Sequence, residues 1–404
     1  NLGHNAGVRR FLLALVLFLA LAPAAAAAPP LTARLAYALA VKGNAAATSG
    51  AIAVDLLTGQ TLFARNPDEA LLPASNEKLT VTYAALVELG PSYRFRTEVL
   101  GRGYRDGATW HGDVFLKGYG DPTLSSAQLG RLAAQLAAQG IDRVDGRILG
   151  DESWFDARRT APGWKASFFL YECPPLSALV VDHGVYEHHL ARLPAIAAAG
   201  RFRQLLTTHG ISAGRVGLGR APASAEELAH VASKPLPAVL QEMDRESDNF
   251  TAELMLKELG AEVDGAGTTA AGAAVVLRDL AAAGVPLQGV RIFDGSGLSA
   301  DDRLTARAVG LLLTVVWRDP KLRAPFWRAL PVAGVSGTLH DRMRKAPARG
   351  SVRAKTGTTD RASALSGYVG NRYAFAVLQN GTPVAAFPAR KAQDRFATVL
   401  ASAP

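Results

Sequence analysis

The sequence predicts a mixed α/β (α+β) fold: a five-stranded antiparallel sheet flanked by helices, interrupted by an inserted, mostly-β domain. Three observations lead there. Two strand-like runs stand near the start of the chain and three near its end, each bounded by turn residues. Helical signals fill the stretch after residue 224, so the first and last parts of the chain share one domain. Between them, 97–223 is dense in short strand and turn signals. At 404 residues, 49% hydrophobic and 20% charged, the chain suits two or three domains with large cores and does not suit disorder.

Taken in order, 1–28 reads as a secretory signal peptide. Arg9 and Arg10 form its basic region, 11–22 an apolar run and 23–28 a small-residue stretch with A-x-A options. That run is shorter than the ~20 residues that span a bilayer. Continued through Ala28 it leaves an uncleaved anchor as the alternative. Export to the periplasm is the expectation. A helix is expected over 31–43, then strands over 51–55 and 60–65 around Leu57-Thr58-Gly59. A helical stretch opens at Pro73 and runs to about Leu89, where Gly90-Pro91 ends it. The insertion, 97–223, holds strand signals at 112–118 and 146–150 and a helix over 126–139. The outer domain, 29–96 and 224–404, resumes as helices. It closes with strands over 352–356, 363–369 and 373–380 and a helix over 389–402.

Charge and composition narrow the function. The formal charge is +9, or about +7 without Arg9 and Arg10, which favours an anionic setting such as a membrane face or a cell-wall polymer. The basic residues are scattered and carry no nucleic-acid motif, so nucleic acid is not an expected partner. Cys173 is the only cysteine, so no internal disulfide forms, and it reads as a small buried hydrophobe. His183, His188 and His189 match no zinc spacing and read as solvated loop residues. Gly265-Ala266-Gly267 with Gly272 lacks the lysine of a phosphate loop and reads as a helix boundary capped by Thr268 or Thr269. No G-x-S-x-G elbow supports a Ser-His-Asp triad.

Three short motifs carry the chemistry: Ser75-Asn76-Glu77-Lys78, Ser247-Asp248-Asn249 and Lys355-Thr356-Gly357. Read as S-x-x-K, S-x-N and K-T-G, they supply a nucleophile, a proton shuttle and a carboxylate-binding cation for serine acyl transfer. Ser75 at a helix start lies at the positive end of the dipole, and Lys78 is one turn on, on the same face. K-T-G is expected at the end of an inner strand beside the Ser75 helix. Each motif alone is weak, but the ordered triplet is specific.

The triplet resembles the penicilloyl-serine enzymes, and its surroundings narrow the match. Pro73-Ala74-Ser75-Asn76-Glu77-Lys78, Asp294-Gly295-Ser296-Gly297-Leu298-Ser299, Leu330-Pro331-Val332-Ala333-Gly334 with Gly337-Thr338-Leu339, and Ala354-Lys355-Thr356-Gly357 are similar to the class C low-molecular-mass penicillin-binding proteins. These are D-alanyl-D-alanine carboxypeptidases/endopeptidases with a transpeptidase-like domain. Gly120-Asp121-Pro122-Thr123-Leu124 and Ala161-Pro162-Gly163-Trp164 fit as well. The step of 172 residues from Ser75 to Ser247 leaves room for that group's insertion, here shorter than in its larger members.

The resemblance implies that Ser75 attacks the bond between the last two D-alanines of a peptidoglycan stem peptide. Lys78 would be the base, Ser247 the proton carrier to the leaving amine, and Asn249 the group that positions Lys78 and the substrate amide. Lys355, Thr356 and Thr358 would hold the terminal carboxylate. The N–H groups of Ser75 and Thr358 would form the oxyanion hole, with Gly357 between the binding residues. Asp151 is the candidate carboxylate for the distal end of the third stem residue; otherwise it caps a turn. Two positions depart from the family pattern: Ala300 stands where an Arg is expected and Asp360 where a Gln or similar residue is usual. No metal or organic cofactor is implied. β-Lactams are implied as covalent inhibitors, with peripheral membrane or wall association. The alternatives are a serine β-lactamase, which needs a water-activating carboxylate, and a catalytically idle wall-binding scaffold.

Overall fold

The computed structural model describes residues 29–43 and 48–403; the expected signal, 1–28, lies outside them. The first and last parts of the chain form one sheet in the order Val352–Thr358, Ala362–Val369, Tyr373–Asn380, Ser49–Asp55, Thr61–Arg65. Every pairing in it is antiparallel. The strand Ser49–Asp55 is buried from end to end, so both of its faces are covered. Alternation sorts its side chains between two cores. Ile52 and Val54 pack with the helices Lys78–Glu88, Leu236–Glu246, Asn249–Asp264, Thr269–Ala282 and Ala306–Arg318. Ala51 and Ala53 pack with Leu31–Leu39 and Ala386–Ala401 on the other face.

One expectation about this sheet is corrected. The K-T-G strand is an edge strand, not an inner one, because the meander that follows it adds strands on one side only. Ala354 N–H donates outward to Pro331 O at 3.0 Å. The two-residue period of a strand then turns the N–H groups of Thr356 and Thr358 to that same open edge.

The insertion is a seven-stranded sheet with a core of its own. Arg96–Asp106 and Thr109–Gly118 make its central hairpin, and Ile148–Asp151 runs parallel to the second of these. Two helices pack on it, the expected one at Ser126–Ala138 and a second at Pro194–Thr208. Its sheet continues past residue 223: Glu226–Ala232 pairs antiparallel with Arg96–Asp106. A register shift between Glu227 and Ala229 breaks the alternation there, which hides the strand from a period-two reading.

Insertion and body meet through a smaller cluster in which Phe155, Cys173 and Leu176 pack against Phe250 and Leu254. Cys173 is fully buried and its thiol pKa is pushed up by burial. His183, His188 and His189 are exposed around a two-stranded hairpin. Gly265, at φ 67, ends the helix Asn249–Asp264, and Thr268 caps the next.

Candidate active site

Ser75 sits in a 3₁₀ turn, Ala74–Glu77, that runs straight into the helix Lys78–Glu88. The residue before it, Ala74, is held at φ 47, a left-handed conformation that costs an alanine of order 1 kcal/mol. Two glycines permit the crowding around this turn. A Cβ on Gly297 (φ +81) would lie 1.8 Å from Ala74 O, and one on Gly357 would lie 2.9 Å from Pro73 O. The 294–299 loop and the K-T-G strand therefore approach the Ser75 backbone as only glycine allows. Asn76, fully buried, ties the turn to the strand by donating to Lys355 O at 3.1 Å.

Lys78 is completely enclosed. Its Nζ lies 3.1 Å from Ser75 Oγ, 2.8 Å from Asn249 Oδ1 and 2.7 Å from Ser296 O. The last two are pure acceptors. A neutral amine gives them its two N–H groups and turns its lone pair toward the Ser75 hydroxyl. Burial drives the Lys78 pKa down, against the pull of Asp294, Asp248 and Glu253.

Beneath Lys78 lies a buried set of acids. Glu77 and Glu253 are each pushed up to about 8, mainly by burial. Asp302 is pushed well up, by burial and by the adjacent Asp294. Protonated, these groups withdraw the negative charge that would keep Lys78 an ammonium ion. Glu253 accepts from Gly295 N and Ser296 N, which fixes the loop whose Ser296 carbonyl meets Lys78. Asp294 accepts from Gly297 N at 2.7 Å and Ser299 N at 2.8 Å. Trp164 of the insertion donates to the same Asp294 carboxylate at 2.8 Å.

Ser247-Asp248-Asn249 joins two helices. Ser247 is the left-handed residue (φ 59) that ends Leu236–Glu246, and Asp248 caps Asn249–Asp264 by accepting from Phe250 N and Thr251 N. The middle Asp is thus a helix cap. Asn249 holds Lys78 through Oδ1, while its Nδ2 donates to Glu172 O of the insertion at 3.0 Å. That donor, expected on a substrate amide, is engaged by the insertion here.

Across the cleft, Lys355 Nζ donates to Ser247 Oγ at 2.8 Å and Thr356 O at 3.1 Å. Burial first, and the charge of Lys78 second, lower its pKa to about 7. Thr356 Oγ1 donates to Thr338 Oγ1 at 2.7 Å. Ser75, Ser247, Thr338, Thr356, Thr358, Arg342 and Arg390 line one cavity of about 370 Å³. The structure thus brings Ser75, Lys78, Ser247, Asn249, Lys355, Thr356, Gly357 and Thr358 together.

Asp151 is not among them, and its expected role is corrected. It is buried in the insertion sheet, accepting from Ser153 N at 2.9 Å and Ala221 N at 2.8 Å. One oxygen caps a turn, the other holds a distant segment, and the side chain is buried and does not line the catalytic cavity. Ala300 and Asp360 do face the insertion. Ala300 N donates to Gly163 O, and Asp360 pairs with Lys165 at 2.5 Å.

Comparison with known proteins fixes the family. The model of the D-Ala-D-Ala carboxypeptidase 3 (S13) family matches residues 31–195 and 191–403, nearly all of the described chain. The chain belongs to this family. Among S13-type relatives, it is 35% identical to a D-alanyl-D-alanine carboxypeptidase of Actinomadura sp. (strain R39), over 83% of this chain and 78% of that one. It is 33% identical to a carboxypeptidase of Mycobacterium tuberculosis, over 86% and 78%. In fold it matches penicillin binding protein 4 of Haemophilus influenzae with a TM-score of 0.81 at 22% identity, covering 91% and 98% of the two chains.

Several groups of this S13 site were not singled out in the sequence. Thr338 was quoted within a motif but given no role, and Glu253 stands one helical turn past Asn249 with no motif around it. The pairing of Trp164 with Asp294 joins two quoted motifs that are 130 residues apart. A signal for that pair existed: an indole in a Pro-Gly turn and an acid in a Gly-rich loop both imply specific partners.

Proposed function

We propose that this chain is an exported serine D-alanyl-D-alanine carboxypeptidase that trims peptidoglycan stem peptides through an acyl-Ser75 intermediate, and that β-lactams acylate the same serine. One observation carries the reading: a buried lysine whose only hydroxyl contact is the Ser75 nucleophile, its other contacts being two carbonyl-type acceptors.

The steps follow from the geometry. Lys78 takes the hydroxyl proton as Ser75 Oγ attacks the carbonyl of the penultimate D-alanine. The oxyanion that forms is held by the N–H groups of Ser75 and Thr358, a contribution of about 3 kcal/mol per donor. Ser247, held by Lys355 at 2.8 Å, hands a proton to the leaving amine, and the proton that Lys78 took from Ser75 makes good that loss. Lys355, with Thr356 and Thr338, holds the carboxylate of the departing D-alanine. Water then enters, Lys78 takes its proton, and the ester to Ser75 is cleaved. Asn249 keeps Lys78 aimed at Ser75. Secretion by the 1–28 segment and a wall-facing location complete the reading.

The test is covalent labelling of the mature protein by a fluorescent penicillin, with release of D-alanine from a pentapeptide measured in parallel. Wild type should be labelled and should release D-alanine; Ser75→Ala should do neither while keeping its melting temperature. Fast penicillin turnover would argue instead for a β-lactamase. An unlabelled, inactive wild type would argue for a scaffold.

A further inference from the structure

The space on the two sides of Ser75 is unequal. Toward Thr338, Thr356 and Arg342 the cavity holds about 370 Å³, ample for a departing residue. Past Ala74, Gly297 and Thr359 it is about 20 Å³, the room of a single water molecule. A peptide that acylates Ser75 needs both sides, one for its leaving residue and one for its acyl half. Lys165 and Phe168 of the insertion and Asp360 of the body line the narrow side.

What narrows it is the segment 165–172. Trp164, bonded to Asp294, and the fully buried Cys173 anchor its two ends. No residue between them is buried, and Tyr171 is 88% exposed. The segment bonds largely to itself: Phe168 N donates to Lys165 O at 2.9 Å, Glu172 N to Phe168 O at 3.0 Å and Leu170 N to Cys173 O at 3.1 Å. So exposed and self-contained a unit moves at low cost. Among the described residues, two polar contacts tie it to the body. Lys165 pairs with Asp360 at 2.5 Å, both side chains about half exposed, and Glu172 O accepts from Asn249 Nδ2 at 3.0 Å. The second contact reaches the catalytic groups. Asn249 Oδ1 meets Lys78, and Lys78 meets Ser75, so Nδ2 is the end of that amide left for a peptide lying at Ser75. The Glu172 carbonyl stands where a carbonyl of that peptide would.

We propose that 165–172 is an autoinhibitory strap. Closed, it places its own Glu172 carbonyl on Asn249 and fills the acyl side of the cleft, and the Lys165–Asp360 pair is its latch. The inference rests on the acyl-serine reading above. Substrate then binds only the open fraction of the protein, so closure raises KM by the inverse of that fraction and leaves kcat alone. An exposed ion pair is weak and screened by salt, so the latch sets a threshold for entry and does not bar it. Lys165 and Asp360 are positioning residues: they act on the strap and touch no reacting atom.

The experiment measures acylation by two β-lactams: benzylpenicillin, whose side chain brings an amide carbonyl, and 6-aminopenicillanic acid, which lacks it. Lys165→Ala and Asp360→Asn should each raise the second-order acylation rate with benzylpenicillin about fivefold, the upper range for an exposed ion pair. The smaller compound needs neither Asn249 nor the acyl side, so its gain should stay under about twofold. On a D-Ala-D-Ala pentapeptide the same variants should lower KM about fivefold with kcat within about twofold. The charge-swapped Lys165→Asp/Asp360→Lys variant remakes the latch and should return to wild-type rates, which also reports folding. Salt at about 0.5 M should speed wild type toward the single variants and leave those variants unchanged. Single variants no faster than wild type on benzylpenicillin overturn the inference, as do equal gains on both compounds or a swapped pair that stays fast. A wild type labelled by neither compound sinks the acyl-serine reading instead.

Discussion

The two lysines of the cleft are equally buried and differently partnered. Lys78 fills all of its hydrogen-bonding capacity within the protein, on Ser75, Asn249 and Ser296, and acids pack beneath it. Lys355 has two contacts, Ser247 and Thr356 O, and sits on an edge strand whose outer N–H groups face the cavity. An ammonium ion carries three donors, so Lys355 keeps one for a ligand. In the proposed mechanism the closed wall moves a proton and the open wall binds an anion. The difference comes from topology: the insertion seals the first, through Trp164 on Asp294 and Glu172 O on Asn249, and leaves the second open.

The largest effect expected from breaking this contrast is at Lys78. Lys78→Met keeps the length and removes the base, and should lower kcat about 10³-fold with KM little changed. The melting temperature should hold or rise, because a buried amine is replaced by an apolar chain. A fall confined to KM would place Lys78 on the binding side and erase the distinction.

Lys355 should behave oppositely. Lys355→Ala should cost tenfold to a hundredfold in kcat/KM on a carboxylate-terminated peptide, the value of about 1.5–3 kcal/mol for a charged hydrogen bond. It should cost much less on an amidated one. The pH profile sharpens this. Activity should rise with pH as Lys78 loses its proton, and fall again as Lys355, lowered to about 7, loses its own. Lys355→Arg stays charged at every accessible pH, so its residual activity should lack the alkaline limb. An alkaline limb that survives in that variant would assign it to another group.

Much of this was legible in the sequence because it is local. The three motifs, the two early and three late strands and the capped helix starts each depend on neighbours a few residues apart. What was hidden depends on distant contacts. Asp151 stands in a turn-like Gly-Asp-Glu-Ser stretch, and only the fold shows Ala221 N–H taking its second oxygen. The strand Glu226–Ala232 loses its alternation to a bulge, so it read as part of the helical stretch. The edge position of K-T-G follows from which strands the meander adds, which no local pattern records. Asn249 was legible as a Lys78 partner, whereas its bond to Glu172 O comes from the insertion folding over the cleft.

The smallest effect lies where the insertion meets the body, beside the closed wall. Trp154 of the insertion donates to Glu258 Oε2 at 2.9 Å, and Tyr93 OH donates to Oε1 of the same fully buried carboxyl. This repeats the indole-to-carboxylate seal of Trp164 on Asp294, away from the catalytic groups. Burial outweighs both donors and raises the Glu258 pKa from about 4.5 to about 8. Between those values the folded protein holds a proton that the unfolded chain has lost, so this stabilising contribution fades as pH rises from about 4.5 toward 8. Glu258→Gln is neutral throughout and loses one acceptor. It should melt about 2 °C below wild type at pH 5, on the scale of about 1 kcal/mol for a lost hydrogen bond, and overtake wild type before pH 8, because the contribution wild type loses over that range exceeds the one hydrogen bond. Parallel melting curves for the two proteins from pH 5 to 8 would mean that the carboxyl stays ionised. The indole N–H and the tyrosine O–H would then donate to a carboxylate ion at this junction.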